Sequence, residues 1–267
     1  MGSSQKPSLK KRFYQVKIKS LEVTSLRELG QLMGQLQRQA FCKAYGKIWD
    51  LARVEVSMEP IASLSQYYDQ PLRCFTFEDF QLVPTVKEFE EILGCPLGGR
   101  KPYLFSGFYP STTRVAKVVK ISAQELDRVK QNRNGVVGVP RKCLEERAKA
   151  LANQGEWASF FGILALLIFG GVLFPNMEGL VDLAAIDAFL VFHHGKESPV
   201  VAILPCMTRS TRDVKRAAQE LFVVHRLSMC DWFRTFFSKK VGPSIRYKVN
   251  APASKKERRI GTNSWLA

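Results

Sequence analysis

WASFFGILALLIFGGVLF, residues 157–174, is the stretch that decides the fold. It lies inside a run of 21 residues between Glu156 and Glu178 that carries no charge, about the length a helix needs to cross a bilayer. Three features turn the reading toward a buried core. Gly170-Gly171 and Pro175-Asn176 interrupt the end of the run, and no basic residues flank it. The neighbouring apolar stretch, Leu180 to Phe192, also holds Asp182 and Asp187, which lipid would penalise. Two adjacent apolar helices then form a helical hairpin over about 157–192 at the centre of a helical domain, and no membrane contact is expected. The fold class this predicts is mainly α: an irregular multi-helix domain with at most a short strand pair.

Outward from the hairpin, apolar spacing and helix-end signals supply the other elements. Pro140 suits the first turn of a helix from Arg141 to Asn153, which Gln154-Gly155 ends. Gln131 to Gly138 reads as a polar, glycine-containing linker. Ser122-Ala123-Gln124-Glu125 is a capping box opening a helix to about Lys130, and Thr85-Val86-Lys87-Glu88 is another. The helix after Thr85 should carry Phe89, Ile92 and Leu93 inward and stop at Gly94-Cys95-Pro96. Gly98-Gly99 through Tyr109-Pro110-Ser111 reads as an exposed loop. Arg73 to Phe77 is strand-like, and Glu59 to Tyr68 suggests a short helix closed by Asp69-Gln70-Pro71. From Thr24, the recurrence of Leu26, Leu29, Leu32, Met33, Leu36 and Phe41 predicts one amphipathic helix.

The charge is strongly positive but unevenly placed. Of 267 residues, 40 are Lys or Arg and 24 Asp or Glu, a formal charge of +16. Residues 1–19 hold six basic residues and no acidic one, and residues 208–267 hold 14 basic and 4 acidic; the 188 residues between them sum to zero. With 46% hydrophobic and 24% charged residues, the composition is that of a globular chain and excludes wholesale disorder. Six cysteines (Cys42, Cys74, Cys95, Cys143, Cys206, Cys230) form no C-x-x-C pair, which favours reduced thiols in the cytosol or nucleus. The first residues lack the apolar run of a secretory signal.

No catalytic constellation emerges. There is no G-x-S-x-G, H-E-x-x-H, Walker loop or G-x-G-x-x-G. His193-His194 with Cys206 or Asp187 lacks the second spaced pair that a metal site needs, so no cofactor and no metal are expected. Glu88, Glu90 and Glu91 are read as solvating the outer face of their helix. The basic ends are the candidate nucleic-acid contacts: Lys10, Lys11 and Arg12 at one end, Lys255, Lys256, Arg258 and Arg259 at the other. Such clusters bind phosphate without sequence preference.

Two segments carry a family resemblance. Residues 74–97, CFTFEDFQLVPTVKEFEEILGCPL, and residues 165–176, ALLIFGGVLFPN, followed by Val181 to Ile186, resemble an uncharacterised plant domain that is abundant in legumes and related to the plant mobile domain. The resemblance covers about residues 20–205. It implies a mostly helical fold, an origin in a mobile element, and a nuclear role in transposon silencing or genome maintenance. Relatives carry the label "aminotransferase-like", but no motif here places a cofactor-binding lysine, and the resemblance brings no catalytic residues.

After Pro205 the chain departs from that family, which continues with a Cys-Cys-x-Pro-x-Leu-Tyr segment and later Asp-Trp-x-Gln-Leu-Leu-Ala. Reading the third base of each codon with the first two of the next, Phe222 to Cys230 can encode Cys-Cys-Ala-Pro-Ala-Leu-Tyr-Val. Arg259 to Ala267 permits Asp-Trp-His-Gln-Leu-Leu-Ala under the same shift. The expected organisation is therefore a basic leader (1–20), a helical domain (21–205), and a basic segment (206–267) that a frameshift near 205–215 puts out of frame. The rival reading makes it a real basic helix and tail. The expected function is a non-enzymatic, transposon-derived interaction module with an unknown protein partner, or a degenerate copy of one with no retained activity; nucleic-acid binding through the ends and an enzyme without a recognisable motif are the alternatives.

Overall fold

The computed structural model describes residues 22–54 and 66–206, apart from 70, 71, 73, 78–80, 84, 97 and 196. Among these residues the chain is mainly α, with ten helices, one π-helical turn and eight strands of two to five residues. The basic leader, the segment after Cys206 and most of the helix expected from Glu59 lie outside the described residues. Tyr68, at the end of that expected helix, begins strand β1 (Tyr68–Asp69).

The apolar run builds the centre. Helix α8 (Trp157–Ile168) is buried at every residue from Phe160 to Ile168. A helix apolar all round has no face to give to solvent, so other elements must enclose it. Helices α1 (Thr24–Gln31), α3 (Ile48–Arg53), α5 (Thr112–Val119), α7 (Arg141–Asn153) and α9 (Leu183–His193) do so. Twelve α-helical residues rise only about 18 Å, short of a bilayer's apolar thickness. Among the described residues no helix is long and apolar enough to cross a membrane.

The run then widens into a π turn, Phe169–Leu173. A Cβ on Gly170 would lie 2.5 Å from Val181 Cγ1, so only glycine lets the turn approach strand β7 (Leu180–Asp182) this closely. That strand corrects the expected helix start. Leu180–Asp182 pairs with β6 (Val136–Pro140), and α9 begins at Leu183. Asp182 is buried yet satisfied: its Oδ1 accepts the Ala185 N–H at 2.7 Å, and its Oδ2 accepts from Asn176 Nδ2 at 2.8 Å. It caps the helix that lipid would have forbidden it to enter.

Three more expectations are corrected. The linker at 131–138 is a hairpin, with β5 (Gln131–Arg133) antiparallel to β6, and this makes β5-β6-β7 a three-stranded sheet. With β1, β2 (Cys74–Thr76) and β3 (Gln81–Leu82) forming a second sheet and β4 (Lys101–Pro102) pairing in parallel with β8 (Glu197–Ser198), strand content exceeds the one short pair anticipated. The single helix from Thr24 is two, α1 and α2 (Gln35–Tyr45), broken at Leu32–Gly34. Gly34 takes the extended conformation there, which leaves Leu32 and Leu36 exposed while Met33 stays buried. Gly30 lets α3 come close: Trp49 lies where its Cβ would stand, at 1.9 Å, so the indole packs directly on the backbone of α1.

Other readings hold. The Thr85 box forms in both directions and opens α4 (Val86–Leu93), which buries Phe89, Ile92 and Leu93 and ends on Gly94 in the left-handed conformation. Ser122 accepts the Glu125 N–H and opens α6 (Ala123–Val129), and α7 spans Arg141–Asn153 as expected. Helices α3 and α5, neither held by a side-chain cap bond although Ser111 precedes α5, add to the expected elements. A last helix, α10 (Val200–Cys206), closes the described chain.

Candidate functional site

The two histidine rings stay together, 5.4 Å apart and edge to face, and His193 turns to Tyr45. His193, at the end of α9, lies nearly parallel to the Tyr45 ring, with centroids 5.8 Å apart and planes 13° apart. Its Nδ1 shares a 2.8 Å hydrogen bond with the Tyr45 hydroxyl. Burial holds His193 below the ordinary histidine pKa, with His194 adding a smaller push in the same direction. Burial likewise raises the Tyr45 hydroxyl to about 12. Both groups therefore stay neutral at neutral pH and act as one polar tie at the edge of an aromatic cluster with Phe189 and Phe192. His194 is exposed.

Asp187 goes to a different partner. Its Oδ2 accepts the Tyr103 hydroxyl at 2.6 Å, and both residues are buried. Burial, followed by the adjoining carboxylate, pushes the Tyr103 hydroxyl far up, so it remains the donor. Nothing is described of the Cys206 side chain, and among the described residues no three His, Cys, Asp or Glu side chains converge as a metal site would require. Glu88, one of the three carboxylates read as solvating, works instead in the capping box, taking the Thr85 N–H at 2.9 Å.

Tyr103 is the inner end of the most exposed apolar feature among the described residues. The stretch read simply as a loop is fixed at its start: β4 pairs with β8, the Tyr103 N–H donates to the Ser198 carbonyl at 2.9 Å, and its hydroxyl reaches Asp187. Beyond that anchor, Leu104, Phe105, Phe108 and Tyr109 are 71%, 44%, 82% and 56% exposed. The Phe105 and Tyr109 rings meet at 5.2 Å, around a reversal at Gly107 with φ of 91°. Large apolar side chains gathered on a pinned loop are the usual mark of a surface that another molecule covers. The signal was present in the sequence as YLFSGFYP, residues 103–110, where aromatic density contradicts a purely solvated loop.

The terminal contacts Lys10, Lys11, Arg12, Lys255, Lys256, Arg258 and Arg259 lie outside the described residues. A family model described as a domain of unknown function (DUF7745) matches residues 26–259. No curated protein matches the chain, and no solved structure does.

Proposed function

The chain belongs to the DUF7745 family of domains of unknown function, and we propose that it is a non-enzymatic interaction module whose contact element is the aromatic loop of residues 104–109. The observation that carries this is the combination of exposure and anchoring: four large apolar side chains in solvent, held by the buried Tyr103–Asp187 bond to the central helix pair. A rigid scaffold presenting a small aromatic patch suits recognition, because little side-chain freedom is lost on binding. Kinship with the plant mobile domain, descent from a mobile element and a nuclear role in transposon silencing or genome maintenance extend the proposal. They rest on the two resembling segments, residues 74–97 and 165–176.

The test compares the full chain with the triple variant Phe105→Ser/Phe108→Ser/Tyr109→Ser. Partners recovered from the source tissue should be lost with the variant, while its thermal unfolding is unchanged, and binding should survive added salt. Retention of every partner by the variant would reject the loop as the contact element. The concentration of charge at the chain ends favours a second reading, phosphate-backbone binding through those ends. Its signature is different: affinity that falls steeply with salt and is lost when either end is removed.

A further inference from the structure

A second surface lies away from the aromatic loop. Helices α5, α6 and α7 enclose an open cleft of about 820 Å³ whose polar lining is Lys117, Lys120, Ser122, Glu125 and Arg147. Three cations face one carboxylate there, a local excess of two positive charges in a part of the chain that is neutral overall. Among the described residues neither Lys117 nor Lys120 has an ion-pair partner.

Two observations separate this cleft from an ordinary solvated lysine face. Lys120 ends α5 with φ of 56° and ψ of 44°, the left-handed conformation that helix ends normally give to glycine. A lysine there is strained, and what it keeps that glycine lacks is the ammonium. Arg147 Nη2 donates to the Lys120 carbonyl at 2.6 Å, so the guanidinium is fixed at the rim by that same strained residue. Its Nε is buried and, among the described residues, meets no acceptor. That nitrogen is closed off from solvent, so a ligand in the open cleft would meet the rest of the guanidinium and not Nε. The Ser122 hydroxyl already accepts the Glu125 N–H, which leaves its own hydrogen free to donate outward.

We propose that this cleft binds the dianionic phosphate of a small phosphate monoester, with Arg147 and the two lysine ammonium groups on the phosphate. The excess of two charges matches a dianion, whereas a phosphodiester carries one charge per group. The cleft is much larger than a phosphate, and Ala116 and Ile121 give the ester's organic part an apolar wall.

The experiment is calorimetric titration of the full chain with phenyl phosphate at fixed ionic strength, for the wild type, Lys120→Gly and Arg147→Gln. Saturable binding is expected, weakened about tenfold or more in each variant as one charge-assisted contact is lost. Lys120→Gly is the decisive variant, because glycine suits the left-handed position and its unfolding temperature should not fall. No saturation overturns the proposal. So does equal affinity in the wild type and Lys120→Gly, which would place the phosphate on the basic chain ends. Tighter binding of a single-stranded oligonucleotide without terminal phosphate, weakened by the same substitutions, would overturn it in favour of a phosphodiester.

Discussion

Two buried tyrosines each bond a polar side chain, a buried carboxylate for Tyr103 and a surface-edge histidine for Tyr45, and the ties differ in what disturbs them. Tyr103→Phe removes the one hydroxyl bonded to the buried Asp187 carboxylate. The expected cost is about 2 kcal/mol, since the desolvated acceptor is left without a donor. Adding Asp187→Leu should recover part of that loss, because removing both partners leaves no orphan, and urea denaturation of the two variants measures it. The Tyr45–His193 tie responds to pH instead. His193 is held below its ordinary value of 6.5, so as pH falls the unfolded chain takes up its proton first. Its contribution is therefore fully present above 6.5 and is lost as the pH drops below that toward the lowered folded value. Unfolding temperature should be flat from neutral pH upward and fall on acidification through the mildly acidic range. His193→Phe should lower the plateau, by orphaning the Tyr45 hydroxyl, but flatten that acid slope.

Elements announced by chemistry at their own ends were legible in the sequence, and elements fixed by distant contacts were not. Thr85 and Glu88 satisfy each other's backbone donors within four residues, so α4 needs nothing from the rest of the chain to declare its start. Its end is equally local, a glycine at φ of 62°. The core helix α8 was legible because an apolar run has one soluble solution, burial. By contrast, α3 is six residues long with no side-chain cap, and its place depends on Trp49 reaching the bare backbone of Gly30, 19 positions earlier. The aromatic loop was read as a loop but not as a site, because the Tyr103–Asp187 bond that anchors it joins residues 84 apart. The hairpin at 131–140 is a different kind of miss, since its signal was local. Asn134-Gly135 takes positive φ at both positions, 52° and 82°, as the tight turns that match strand twist require. Gly135→Ala should cost about 1 kcal/mol from backbone strain alone, because the new Cβ would meet nothing within 4 Å. Asn134→Gly, at the companion position, should stay close to wild type in the same denaturation experiment.

At the scale of the whole molecule, charge and fold are segregated. The described part of the chain belongs to a central region with equal numbers of acidic and basic residues, and the entire excess of +16 sits in residues 1–19 and 208–267. A polyanion would therefore meet the ends first, and whether that matters depends on the reading frame of the longer end. The family match runs, in the frame as it stands, to residue 259, past the last described helix. The one-base-shifted reading of Phe222 to Cys230 and of Arg259 to Ala267 permits two separate segments of the resembling family in a single frame. Codon degeneracy makes one such agreement easy and two in register much harder. Sequencing the transcript across codons 195–267 decides it. The expected outcome is an open shifted frame encoding both segments, in which case the +10 of residues 208–267 is a product of translation in the wrong frame. Restoring that frame should then raise the unfolding temperature, and salt-dependent binding to nucleic acid should drop to what the six basic residues of the leader support. Stops in the shifted frame would instead make the basic end an inherited part of the protein, and its removal would then abolish polyanion binding while leaving the neutral helical domain folded.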